Sequence, residues 1–283
     1  MEVKKIGVVG CGLMGAGITQ VCARAGYSVV VSDINDELLN KGLASINSRL
    51  GRQVEKGKLS QQDKDTTMAR IKGTTNTKDF SDCDLVIEAV DEDIDLKKKV
   101  FAQLDKVCPE HTILGSNTSC LSITDMAVAT KRPEKVLGIH FHNPAPVMEL
   151  LELAKTIVTS DETIEISRKF GESLGKTVVV TPDIAGFIIT RLLTPFLLGA
   201  VRMLEDGIAT KEEIDISCKK ALNHPMGPLE LIDLIGLDTE YSIDQIMYED
   251  TKDLKYAPPV LLKKMVTAGW LGRKTGKGFY EYK

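Results

Sequence analysis

Several features are scarce or missing in this sequence, and each absence excludes something. Aromatic residues make up 5% of the 283 positions, and the six cysteines (11, 22, 83, 108, 120 and 218) are scattered without a CxxC pair. A disulfide scaffold is therefore not expected, and the thiols read as reduced and structural. The four histidines form no HxxxH, so no zinc motif is visible and no metal is expected. No long hydrophobic run is uninterrupted: Ile184 to Val201 is broken by Arg191 and Pro195 and reads as a buried helix rather than a membrane span. Met1 to Lys5 leads straight into a strand-like run without the basic, apolar and small-residue order of a signal peptide, so a cytoplasmic protein is expected. There is no excess of positive charge either, with 36 basic residues against 40 acidic ones and a net charge of −4. That balance argues against non-specific nucleic-acid binding, and any anion site must be local.

What is present is a soluble globular composition, 43% hydrophobic and 27% charged, at a length that favours two domains. Apolar runs alternate with helical patterns: Lys5 to Val9 then 13–26, and Ser28 to Ser32 then 35–56. The alternation predicts a Rossmann-like α/β domain, its sheet mostly parallel. Leu85 to Val90, Ile113 to Gly115, Val136 to Phe141 and Val178 to Val180 continue the sheet, with helix-like stretches 94–107 and 162–173 between them. The polar segment 36–70 reads as a long helix or helix pair projecting from the sheet. After Pro182 the strand signals stop, and 188–206, 211–222 and 228–247 carry helical spacing with breaks at Gly207, Pro225 and Gly227. The expected domains are thus 1–183 and an all-helical 184–283, with a tight junction near 182–186 and a ligand cleft at the seam.

Three constellations carry chemistry. Gly10-Cys11-Gly12-Leu13-Met14-Gly15 is a GxGxxG placed between a strand and a helix. Gly10 permits the turn, Gly12 lets the backbone approach a pyrophosphate, and Gly15 lets helix pack on strand. Asp33 closes the second strand and can accept both ribose hydroxyls of an adenosine, while repelling a 2′-phosphate. No cation follows it in Ile34 to Glu37, so NAD is favoured over NADP. The second constellation is His140 at a strand end with Glu152 twelve residues on, an acid–base candidate whose alternative is a satisfied core histidine. His142 is expected to face the other way along the strand and to be structural. The third is Ser116-Asn117-Thr118-Ser119-Cys120 after a short strand, either a crevice loop or a helix cap, with Cys120 read as packing.

Together GCGLMG, Glu88-Ala89-Val90 with Glu92 and Lys97, SNTS, HFHNPAPVMELLE, GFIITRLL, HPMGPLELIDLIGLDT and GRKTGKGFYEY resemble the L-3-hydroxyacyl-CoA dehydrogenases, in their short free-standing 3-hydroxybutyryl-CoA form, from about residue 4 to 282. The resemblance implies interconversion of an L-3-hydroxyacyl-CoA and a 3-ketoacyl-CoA with NAD. It implies His140 and Glu152 as the catalytic pair and Ser119 as the residue bonding the substrate's 3-oxygen. Glu92, Lys97, Asn117, Ser119 and Asn143 would lie near the nicotinamide, and Lys274 would return to the cofactor. It also implies a homodimer through the helical domain. The family's basic helix takes the CoA phosphates, and here Arg49, Arg52 and Lys56 share one helical face, with Lys58 beyond, which could equally be a solvated charged face. Two departures stand out. Thr190 replaces the family's Asn before Arg191, at the substrate's acyl end, and Glu92 is followed by Asp93 rather than Asn.

Two other readings fit part of the pattern. A relative acting on a free hydroxy acid such as L-gulonate would keep GxGxxG and His140 without needing CoA. A catalytically impaired NAD-binding protein, with Thr190 marking the loss, would bind NADH without turnover. A 6-phosphogluconate-type dehydrogenase shares the GLMG start but not SNTS or HFHNP.

Overall fold

A computed structural model of the chain describes residues 2–282. It divides into two compact units, Met1–Ile184 and Ala185–Lys283. The first runs β1 (Lys5–Val9), α1 (Leu13–Arg24), β2 (Ser28–Ser32), α2 (Asp36–Glu55), α3 (Gln61–Ala69), β3 (Ile71–Thr74), β4 (Leu85–Glu88), α4 (Ile94–Val107), β5 (Ile113–Ser116), α5 (Ile123–Ala127), β6 (Val136–Phe141), β7 (Leu150–Lys155), α6 (Asp161–Ser173) and β8 (Thr177–Pro182). Its single sheet has the order β3-β2-β1-β4-β5-β6-β7-β8. The first six strands are parallel in the order of a Rossmann fold, which switches direction between β1 and β4 and opens a crevice at the strands' carboxyl ends.

The central strands are apolar because both faces are covered: every residue of β4 and β6 is buried. Side-chain caps start most helices of this unit. Asn35, Ser60, Asp93, Ser122 and Ser160 each accept a backbone N–H at the start of α2, α3, α4, α5 and α6. Helix α1 differs. Its cap is Gly12, with no side-chain bond, which leaves its first N–H groups for a ligand.

Three sequence expectations need correction. Segment 36–70 is a helix pair, but it does not simply project: Leu39, Ile46 and Leu50 of α2 are buried in the core cluster that also contains Ile18 and Cys22 of α1. Its polar composition belongs to the outer face alone. Strands β3 and β7 were not foreseen. β3 is an edge strand containing Lys72 and Gly73, and β7 reads Leu-Leu-Glu-Leu-Ala-Lys, residues of helical preference that pairing on both sides overrides. β7 also pairs antiparallel to β6, so the last two strands run against the other six.

The second unit holds α7 (Ile189–Glu205), α8 (Lys211–Ala221), α9 (Pro228–Ile235), α10 (Leu237–Thr251) and α11 (Val260–Thr267). The stretch 228–247, read as one helix, is two, broken at Gly236 with φ +104°. Leu197, Leu198, Val201, Leu229, Ile232, Leu237 and Leu262 form its core. Two buried carboxylates pin the loops: Asp215 accepts the Leu229 and Glu230 N–H groups at 2.9 and 3.0 Å, capping α9 from a distance. Asp233 accepts the Phe279 and Tyr280 N–H groups and the Tyr282 hydroxyl at 2.8 to 2.9 Å, anchoring the C-terminal segment.

Candidate active site

The turn from β1 into α1 is shaped by its glycines. Gly10 has φ +95°, and a Cβ there would lie 2.6 Å from the Ala89 carbonyl oxygen. A Cβ on Gly15 would lie 1.8 Å from the Gly10 oxygen, whereas one on Gly12 would meet nothing within 4 Å. The helix start is thus open over Gly12, beside exposed Leu13 and half-buried Met14. Asp33, at the end of β2, accepts the Cys11 N–H at 2.8 Å through Oδ2 and the Ile34 N–H at 2.7 Å through Oδ1. A carboxylate beside an uncapped helix start suits an adenosine ribose with its diphosphate.

His140 and Glu152 are directly opposite across the antiparallel β6–β7 pair. This register explains the twelve-residue spacing, and it puts His140 Nδ1 at 2.8 Å from Glu152 Oε2, with Glu152 fully buried. A carboxylate only accepts, so Nδ1 carries the proton and Nε2 is left as the acceptor. Ser119 Oγ lies 3.0 Å from that Nε2 and donates to it.

The loop carrying Ser119 is held by a buried ion cluster. Lys97, 1% exposed, donates to Glu88 Oε1 at 2.6 Å and lies 3.3 Å from Glu92 Oε2. Glu88 also accepts the Val90 N–H and the Ser116 hydroxyl. Glu92 accepts the Ser119 N–H at 3.1 Å and the Thr118 hydroxyl. Asn117 accepts the Phe141 N–H at 2.9 Å, tying the same loop to the end of β6. In this arrangement Lys97, Glu92 and Asn117 are engaged with the protein itself, and Ser119 is the residue they aim at His140. Glu88 stands in the motif Glu88-Ala89-Val90, but the sequence gives it no role in the site; the available signal is an acid ending the apolar run Leu-Val-Ile.

His142 departs from expectation. It is the first residue past the end of β6, so strand alternation no longer turns it away. Its Nε2 lies 3.5 Å from Glu152 Oε2, and its ring sits edge-on to that of His140 with centroids 4.6 Å apart. Burial, then the adjacent His140, pushes its pKa down to about 4 against the pull of Glu152. It is therefore a neutral imidazole in the site.

A groove of about 490 Å³ lies beside α1 and α2. Arg24, Arg49, Arg52, Lys56 and Lys58 line one part of it, and Asn143 to Val147 another. Arg49 Nε donates to Gln20 Oε1 at 3.0 Å, but Arg49 Nη2 and Gln20 Nε2 are buried without a partner among the described residues. Burial and the neighbouring Arg52 hold the Arg49 guanidinium below its usual pKa. Among the described residues no carboxylate lines this groove beside its cations.

In the second unit, Thr190 is half-buried in the first turn of α7, and Arg191 donates to the Ala185 carbonyl at 3.0 Å. Lys274 is paired with Asp238, 2.7 Å from its Oδ2.

The 3-hydroxyacyl-CoA dehydrogenase NAD-binding domain model matches residues 5–184, and that family's C-terminal domain model matches 186–282. The chain belongs to the 3-hydroxyacyl-CoA dehydrogenase family. It is 47% identical over 281 residues to a 3-hydroxybutyryl-CoA dehydrogenase of Bradyrhizobium diazoefficiens, covering 99% of this chain and 96% of the relative. The crystal structure of Mycobacterium tuberculosis FadB2 matches with a TM-score of 0.98 and 45% identity, and that of Ralstonia eutropha (S)-3-hydroxybutyryl-CoA dehydrogenase with 0.95 and 44%, each covering 100% of both chains. The protein is accordingly an NAD-dependent oxidoreductase of this family. No helix among the described residues is long and apolar enough to cross a membrane.

Proposed function

We propose that this dehydrogenase interconverts (S)-3-hydroxybutyryl-CoA and acetoacetyl-CoA, with His140 as the acid–base group. The observation that carries the reading is the Glu152–His140–Ser119 chain, with contacts of 2.8 and 3.0 Å. Ser119 Oγ stands where a substrate hydroxyl would approach His140 Nε2. The substrate's 3-oxygen lies between the two, donating its proton to Nε2 while the Ser119 hydroxyl turns to donate to that oxygen. Glu152, held opposite by the strand register, stabilises the imidazolium that results. Bound NAD supplies the hydride acceptor for C3, and in the reverse direction His140 returns the proton. The open helix start at Gly12, Leu13 and Met14, with Asp33 beside it, supports the cofactor's placement on this chain.

The cationic groove supports a CoA thioester over a free hydroxy acid, with Arg49, Arg52 and Lys56 holding the phosphates. The family resemblance assigns Thr190 to the substrate's acyl end, where its shorter side chain would offer one hydroxyl donor in place of an amide. Asn143 and Lys274 belong to the cofactor side of the same reading. Exposed Leu192, Ile208 and Leu222 on the helical unit support a homodimer through that unit.

The test is a double-mutant cycle on NADH oxidation with acetoacetyl-CoA. His140→Gln lowers kcat by about 10² to 10⁴ with NADH affinity retained. Glu152→Gln costs much of the same, and the double variant little more than the worse single, because the two act as one unit. Losses that multiply would separate Glu152 from His140 and defeat the pairing.

A further inference from the structure

The acid–base pair is the first two members of a trio. His140, His142 and Glu152 each present a ligating atom, and these atoms lie within 4.8 Å of one another. Both imidazoles approach the same carboxylate oxygen, Glu152 Oε2, at 2.8 Å from His140 Nδ1 and 3.5 Å from His142 Nε2. His142 Nε2 is buried and makes no hydrogen bond among the described residues. Nothing in the hydride transfer described above uses His142, so a polar atom sits desolvated in the site without a role in that chemistry.

We propose that His140, His142 and Glu152 form a site for a divalent transition ion, Zn²⁺ being the fitting case, and that occupation of this site blocks the enzyme. Two imidazoles and a carboxylate are a ligand set for borderline transition ions. Around a tetrahedral zinc with bonds of about 2.0 to 2.2 Å, neighbouring donor atoms stand about 3.4 Å apart. The His142–Glu152 spacing of 3.5 Å already matches this, the His140–Glu152 spacing of 2.8 Å has to open by about 0.6 Å, and the two imidazole nitrogens, within 4.8 Å of each other, have to close toward the same spacing. Three protein ligands leave a fourth position for water. The sequence hides the site because HxH is not a helical zinc spacing; the turn of the chain just past β6, together with the partner strand β7, brings the ligands together.

The block follows from proton bookkeeping at one ring. As the bond from zinc to His140 Nδ1 forms, the Nδ1 proton leaves and a proton is taken up at Nε2, so the imidazole stays neutral. Nε2 then carries a hydrogen and cannot accept the substrate's proton, and Glu152 is withdrawn from His140. This consequence rests on the proposed role of His140; the binding of the ion does not.

The experiment titrates zinc chloride into the chelator-stripped full-length protein by calorimetry, alongside steady-state oxidation of 3-hydroxybutyryl-CoA. The same is done for His142→Phe, which preserves an aromatic ring of similar shape, and for His142→Gln, with thermal unfolding confirming that each variant is folded. The expected result is one zinc per chain, inhibition reversed by chelator, and about a 100-fold loss of zinc affinity in both variants with a matching rise in the inhibitory concentration. Zinc that binds wild type and both variants equally sits elsewhere, on thiols for instance, and would overturn the site, as would the absence of binding at millimolar zinc. Binding that depends on His142 but leaves turnover intact would uphold the site and overturn both the block and the assignment of His140 as base.

Discussion

Lys97 offers the sharpest test of how the site is held. It is 1% exposed and lies between two carboxylates, 2.6 Å from Glu88 and 3.3 Å from Glu92, with Glu88 itself fully buried. Replacing it by Met preserves the bulk of the stem and removes only the charge and donors. Glu88 would keep the Val90 N–H and the Ser116 hydroxyl, but its charge would be buried without a counter-ion. Breaking a buried pair in this way costs about 3 to 5 kcal/mol. At about 2 to 4 °C per kcal/mol for a unit of this size, the unfolding midpoint should fall by roughly 6 to 20 °C. The companion variant Glu88→Gln with Lys97→Met removes both charges and should recover most of that loss, giving an interaction energy of about 2 kcal/mol or more between the sites. Chemical denaturation of the full chain at neutral pH measures Lys97→Met, Glu88→Gln and the double variant, which together close the cycle. If Lys97→Met alone loses less than about 1 kcal/mol, or the two substitutions simply add, the cluster does not hold the Ser119 loop as argued.

Three further outcomes are expected. Asp33→Ala weakens NADH binding roughly 10- to 100-fold, the value of one or two charge-assisted bonds, with little change for NADPH; equal losses for both cofactors by fluorescence titration would point to collapse of the turn that Asp33 also holds. Lys56→Glu raises KM for acetoacetyl-CoA several-fold but leaves KM for a pantetheine thioester unchanged, and a common effect on both would remove the groove from phosphate binding. Glu240 and Asp244, on one face of α10, are buried, and neither Glu240 Oε1 nor either Asp244 oxygen has a hydrogen-bond partner among the described residues; burial, and for Asp244 the neighbouring Glu240, pushes their pKa values up to about 7 and 9. Such groups stay protonated in the folded state while ionised in the unfolded one, so their stabilisation is complete below pH 4 and is lost as pH rises through 7 and then 9. Between pH 7 and 8 the loss from Asp244 is about 1.4 kcal/mol. Thermal unfolding of Asp244→Asn should show a flatter pH slope than wild type over that interval; parallel slopes would mean that Asp244 ionises normally.

Much of this protein is determined by short-range pattern. Gly10 and Gly15 sit where a strand meets a helix and the turn leaves no room for a side chain at either, while Gly12 keeps the helix start open, so the nucleotide-binding turn is legible from six consecutive letters. Asn35, Asp93 and Ser160 announce the starts of their helices because the capping bond spans only three residues. The chemical identity of the site, a histidine with a later carboxylate and a strand-end serine, is legible through the same local grammar together with its resemblance to the family. What sequence could not decide is how strands pair. β7 lacks strand-forming residues and exists because β6 and β8 flank it; its antiparallel register alone turns a spacing of twelve into a 2.8 Å contact between His140 and Glu152. The burial of Lys97 between Glu88 and Glu92, and the turn that swings His142 back toward Glu152, likewise depend on residues distant in the chain meeting in a low-dielectric interior. There desolvation rather than residue type sets what each group does.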